Sequence, residues 1–246
     1  SLQAIFRAWM PQTAATHEVR VNVIKALVAR FPRVAWKICM AQFGEHHEVG
    51  HYSHKPRWRP DGYGFGEPIP TLGPILQFRR EMVEMALSWK EHTLEMLRDL
   101  VARLHGLDAA YQARVWNIVK AWADEKASDA DKAVLREEIR VKTLSQRAVM
   151  RVKKTGDEAV MFKAAKDAYA ALEPADLLNK HAWLFRDGWV EESYDEIHGE
   201  AEIDFNKRDE RITALRTDAL REVLERRGLP GIIELAERSN AAWQIG

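Results

Sequence analysis

Apolar residues recur every three or four positions along most of this chain, with charged residues between them. The longest such run begins at Gly73 and continues almost to Gly106, and shorter runs cover about 16–31, 108–122, 128–149, 157–172 and 203–227. This spacing places apolar side chains on one face of an α-helix. Strict alternation, which would indicate a β-strand, does not extend over four or more residues. We therefore predict an all-α fold.

Residues that begin and end helices divide the pattern into short segments. Thr16, Asp108 and Ser128 stand where a helix N-cap is expected, and Pro32 and Gly228 stand where a helix must stop or start. The 73–106 run fits one long helix or two helices broken near residue 90. Because the connections are short, we expect successive helical hairpins in an irregular, solenoid-like repeat. No tetratricopeptide or ankyrin signature is present.

The same periodicity predicts which side chains face inward. In the first long helix this set is Val19, Val23, Ile24, Leu27, Val28 and Phe31. In the 203–227 helix it includes Phe205, Ile212, Val223 and Leu224. Alternating charges at Arg136, Glu137, Glu138, Arg140 and Lys142 predict a solvent-facing surface there.

A single long loop is predicted at 44–74, the only long stretch without helical periodicity. It contains His47-Glu48-Val49-Gly50-His51, which matches the zinc-protease pattern H-E-x-x-H. In such enzymes two histidines one helical turn apart bind zinc, and the glutamate activates the metal-bound water. The context argues against this chemistry, because the motif follows a helix stop, contains Gly50 and lacks apolar flanks. A zinc-dependent hydrolase using His47, His51 and Glu48 is therefore the alternative hypothesis, and we predict no cofactor.

A cationic group around one tryptophan follows in the same loop: His54, Lys55, Arg57, Trp58 and Arg59. Such residues can stack on bases and clamp a phosphate, or they can anchor a loop by binding helix carbonyls and carboxylates. We favour loop anchoring or a protein contact. Lys plus Arg and Asp plus Glu each number 37, so the chain lacks the basic excess of a general nucleic-acid binder.

The composition is that of a globular protein without a membrane span. The only cysteine, Cys39, excludes an internal disulfide and fits a cytoplasmic location. No apolar run approaches the roughly 18 residues of a transmembrane helix. We predict one all-α domain over 1–246, with a division into 1–106 and 107–246 as an option. Trp243 and Ile245 at the end of the chain, and the absence of an initiator Met, suggest a fragment of a longer protein.

Several phrases together resemble a known protein group. They lie at 6–13 (FRAWMPQT), 35–37 (AWK), 54–59 (HKPRWR), 180–185 (KHAWLF) and 242–246 (AWQIG). This set is similar to the helical region of large bacterial STAND-type NTPases, relatives of NLR immune receptors that are linked to anti-phage defence. The resemblance implies a non-enzymatic scaffold, ligand-sensing or protein-interaction segment. Its expected partner is another protein or another domain of the same polypeptide, rather than nucleic acid or a membrane.

Overall fold

The computed structural model describes residues 2–43, 68–145, 148, 158–191 and 205–245. Helices dominate the described part of the chain, and no β-strand occurs there, so the predicted all-α class is confirmed. None of the helices in those ranges combines the length and apolarity that crossing a membrane requires. The solenoid-like repeat stays a prediction.

The first of two compact units comprises Ser1–His92 and Gly106–Asp108. Its helices are α1 (Leu2–Ile5), α2 (His17–Arg30), α3 (Pro32–Met40) and α4 (Leu72–Leu87). The last three pack against one another. Their common core contains Ile24, Ile38, Phe43, Phe78 and Met82, all fully buried.

Local capping explains where α2 begins and where α3 takes over. The Thr16 hydroxyl accepts a hydrogen bond from the Val19 amide, which satisfies one of the free N–H groups of the first turn. Pro32 then occupies the first turn of α3, where the missing N–H has no cost. Both features match the sequence prediction. The predicted loop at 44–74 ends earlier than expected, because α4 already begins at Leu72.

The inward face predicted for α2 is wrong in part. Val21 and Ile24 are buried together with the Arg20 side chain, whereas Val19 and Val23 point to solvent. This helix has apolar residues on two sides, and α3 and α4 cover only one of them.

The second unit comprises Thr93–His105 and Ala109–Gly246. Its helices are α5 (Leu94–Ala102), α6 (Ala109–Glu125), α7 (Asp129–Ile139), α8 (Glu158–Ala171), α9 (Leu177–His181) and α10 (Phe205–Glu237). Of the two options for residues 73–106, the broken helix is correct. Thr93, which lies within the apolar period of this run, caps α5 by accepting a hydrogen bond from the Met96 amide. The one-domain prediction and its division after residue 106 stay predictions.

The long α10 contains a sharp corner at the predicted stop. Gly228 has φ 63° and ψ −166°, far from helical values, and Pro230 begins the second half. The corner allows Leu235 to join Ala219 and Val223 in one buried cluster. Phe205 and Leu224 were predicted to face inward, but both are exposed because this cluster covers only one side of the helix.

Candidate functional site

All site residues predicted from the sequence lie outside the described residues. This applies to His47, Glu48 and His51 of the zinc motif, and equally to the set His54, Lys55, Arg57, Trp58 and Arg59. Both interpretations of that loop stay predictions. Elsewhere, over the ranges that the structure describes, no three His, Cys, Asp or Glu side chains are grouped so that they could hold a metal ion.

A cavity of about 300 Å³ lies within the second unit, between α7, the end of α8, α9 and the chain that follows α10. Small apolar side chains and two aromatic rings line part of its wall. They are Ala130, Ala133, Val134, Pro174, Ala182, Tyr169 and Trp183. Four cationic side chains also line it: Arg136, Lys180, Arg186 and Arg238. The cavity therefore combines an apolar surface with positive charge.

Arg136 is held in a defined position on this wall. Its Nε donates a hydrogen bond to the Tyr169 carbonyl at 3.0 Å, and its guanidinium carbon lies 4.0 Å from the centre of the Tyr169 ring. These two contacts use one face and one N–H of the guanidinium. Among the described residues, its terminal nitrogens have no hydrogen-bond partner, so donors remain for a ligand.

Glu137, the one carboxylate among the described residues of the wall, is already neutralised. Arg140 binds both of its oxygens, with Nε–Oε2 and NH2–Oε1 distances of 2.8 and 2.7 Å. Because Arg140 is only 4% exposed, little solvent screens this bidentate pair. The prediction that Arg140 faces solvent is wrong. Its charge is buried because Glu137, the Glu191 carbonyl and the Trp183 ring surround it.

The other cations differ in how far carboxylates compensate them. Lys180 Nζ lies 3.8 Å from Glu173 Oε1 and 3.9 Å from Glu222 Oε2, distances that leave room for another acceptor. Arg238 pairs with Glu234. Arg186 is exposed, and no ion pair joins it to a residue in the described part of the chain. Positive charge on this wall is therefore compensated least at Arg136 and Arg186.

Three buried arginines fix the segment that carries Trp183 and Arg186. Arg216 donates to the carbonyls of Leu184, Asp187 and Gly188, and its Nε–O distance to Leu184 is 2.9 Å. Arg208 and Arg140 bind two carbonyls further along the segment, those of Val190 and Glu191. A buried carbonyl without a partner is costly, so these bonds select one path for the irregular chain.

Asp129 fixes the opposite rim. It accepts hydrogen bonds from the amides of Ala175 and Asp176, at 2.7 and 2.8 Å, and from the side chain of Asn179 at 3.3 Å. Burial raises the pKa of Asp129, but these hydrogen bonds outweigh it and bring the pKa below its ordinary value. The first turn of α7 is thereby tied to the start of α9.

A second feature lies in the first unit, on the solvent side of α2 and α3. We call it the outer apolar face: Val19, Val23, Phe31 and Val34, which are 49, 43, 56 and 37% exposed. Exposed cations stand on the same two helices at Lys25, Arg30, Arg33 and Lys37, and their only acidic residue is Glu18. Exposed apolar side chains with charged residues near them are found at protein contacts.

Comparisons of the chain with protein-family models, with curated proteins and with solved structures find no match. The resemblance to the helical region of STAND-type NTPases thus stays a prediction. Neither the cavity nor the outer apolar face was predicted. A signal for the face was present in α2, whose apolar residues occupy two stripes. No local signal marked the cavity, because its lining residues lie between positions 130 and 240.

Proposed function

We propose that this chain is a non-enzymatic helical scaffold that binds a protein partner through the outer apolar face of α2 and α3. The observation that carries the proposal is the exposure of Val19, Val23, Phe31 and Val34 on a well-packed helical hairpin. The resemblance supports a partner in a large cytoplasmic signalling or defence NTPase, either as a domain of the same polypeptide or as a separate chain.

The charges around the face select the kind of partner. With exposed cations at Arg30, Arg33 and Lys37 and one acid on the two helices, the complementary surface is an amphipathic helix with apolar residues flanked by Asp and Glu. An anionic membrane surface would share part of this chemistry, so the experiment must separate a protein from a lipid.

A photo-crosslinking amino acid at position 23 of the full chain, expressed in its cell of origin, tests the proposal. The expected product joins position 23 to an acidic amphipathic helix of an NTPase-containing protein, identified by mass spectrometry. The same probe at the neighbouring exposed position Asn22, which lies off the stripe, is the matched control. Crosslinks to lipid or nucleic acid, or equal products from both positions, would refute the proposal.

Paired neutral variants measure the energy of the contact once the partner is purified. Val23→Gln removes about 1 kcal/mol of apolar burial and places an unpaired amide in the contact, at about 1–3 kcal/mol, so binding should weaken tenfold or more. Asn22→Gln should leave the dissociation constant unchanged. Both positions are exposed and helical, so neither change should shift the free energy of unfolding by more than about 0.5 kcal/mol.

A further inference from the structure

We propose that the cavity of the second unit binds a small organic anion, namely a flat apolar body that carries one carboxylate or phosphate group. This inference goes beyond the proposed protein contact and does not depend on it, because the cavity and the outer apolar face belong to different units. A variant of one site therefore serves as a control for the other.

The size and the wall of the cavity define the body of the ligand. A volume of about 300 Å³ stands at the lower end of the range for small-molecule sites. Ala130, Ala133 and Ala182 leave this space open because their side chains are short, and Tyr169 and Trp183 add aromatic surface. A single aromatic ring system with a short substituent matches these dimensions.

The charges define the polar group of the ligand. Among the described residues that line the wall, Glu137 is the only carboxylate, and Arg140 already binds both of its oxygens. Arg136, fixed on Tyr169, and the exposed Arg186 offer planar N–H donors that match the geometry of carboxylate and phosphate oxygens. Lys180 adds a third cation with only long contacts to its carboxylates. An anion would be bound by these groups, whereas a cation would be repelled.

The walls of the cavity and the Arg136 guanidinium are held in place by contacts within the protein. The carbonyl contacts of Arg216 hold the segment that places Trp183 and Arg186, and Asp129 ties α7 to α9 across the cavity. Arg136 is held by its own contacts with Tyr169. Binding to a site that is already ordered has a smaller entropic cost, which favours a specific ligand.

Titration of the full chain with defined probes, followed by calorimetry and NMR, tests the proposal. The probes are phenyl phosphate and indole-3-acetate, with inorganic phosphate and uncharged indole as comparisons. We expect at least one of the two aromatic anions to saturate one site, and both comparisons to bind about tenfold more weakly or worse. Tighter binding of phenyl phosphate or of indole-3-acetate identifies the preferred oxyanion.

Two variants assign the binding to the cavity. Arg186→Gln, at an exposed position, should weaken the binding of the better probe about five- to tenfold. Ala133→Leu fills the cavity from α7 and should abolish binding, while a preserved melting temperature shows that the fold is intact. Arg33→Gln removes the same charge from the first unit and should have no effect on the affinity.

Several results would overturn the proposal. The proposal fails if neither aromatic anion saturates a site at millimolar concentration. It also fails if indole binds as tightly as indole-3-acetate. If inorganic phosphate binds as tightly as phenyl phosphate, the organic part of the ligand contributes nothing to the affinity, and the proposed apolar body is wrong. Affinities unchanged by both Arg186→Gln and Ala133→Leu would place any binding elsewhere.

Discussion

Replacing Gly228 by alanine should destabilise the second unit, because the corner of α10 uses a conformation that only glycine adopts readily. Its φ of 63° with ψ of −166° lies outside the left-handed helical region and in a region that is essentially restricted to glycine. After the corner, the second half of α10 packs closely against the first half. A Cβ atom added at Gly231 would lie 3.3 Å from Val223 Cγ1. In a straight helix, residues eight apart are separated by about 12 Å.

The magnitude follows from two opposing terms. A side chain in this conformation destabilises the folded state by about 1–3 kcal/mol. Alanine also lowers the entropy of the unfolded chain, which stabilises the folded state by about 0.4–1 kcal/mol. We therefore expect Gly228→Ala to lower the free energy of unfolding by about 1–2 kcal/mol. Gly73→Ala is the matched control, because Gly73 lies in α4 without positive φ and its added Cβ would meet no atom within 4 Å. Because Gly73 stands in the first turn of α4 and precedes Pro74, that substitution should change the free energy of unfolding by less than about 0.5 kcal/mol.

Urea unfolding followed by circular dichroism gives the sign of each effect, and hydrogen exchange locates it. Since two compact units need not unfold together, the exchange rates of peptides within α10 are the decisive measurement. Gly228→Ala should accelerate exchange there and should also weaken the binding of anions, because Arg238 and Asn240 reach the cavity only after the corner. Unchanged exchange and an unchanged urea midpoint in Gly228→Ala would refute the reasoning.

Two further predictions concern buried titratable groups of the first unit. Burial lowers the pKa of His92, whose ring nitrogen lies 2.9 Å from the Ala86 carbonyl, so its contribution to stability is complete above pH 6.5 and decreases as the pH falls towards the lower folded value. The protection factors of amides near Ala86, which correct for the slower intrinsic exchange at lower pH, should therefore decrease between pH 7 and 5.5 in the wild type, and less in His92→Gln. Burial raises the pKa of Cys39 to about 12, so an aromatic disulfide reagent at pH 8 should modify the native thiol about a thousandfold more slowly than the unfolded one. Equal rates in native and urea-unfolded protein would contradict the burial of Cys39.

Much of the local structure could be predicted because its causes are local. Thr16 and Ser128 cap their helices by accepting amide hydrogen bonds three residues ahead, at Val19 and Asp131, an interaction that needs only neighbouring residues. Gly228 interrupts α10 for an equally local reason, the freedom of a residue without Cβ. Capping at Thr93 was missed because the apolar period continues across it.

Burial was predicted less well, since it depends on which elements pack together. Periodicity identified apolar residues at Val19, Val23 and Ile24, but α2 has two such stripes and only the positions of α3 and α4 decide which one is covered. Arg140 illustrates the opposite error. A charged residue in an alternating pattern normally faces solvent, yet the side chain of Glu137 and the distant carbonyl of Glu191 make its burial favourable.

Helix propensity, capping and hydrophobic period act over a few residues, so the all-α class, the caps and the breaks between helices follow from the amino-acid sequence. The tertiary structure brings α7, α9 and the chain after α10 together around an open cavity lined by Arg136, Arg186 and Trp183. It also decided that the outer apolar face remains uncovered. Both depend on contacts between residues that are far apart in the chain. No single segment of the sequence shows which of these contacts form.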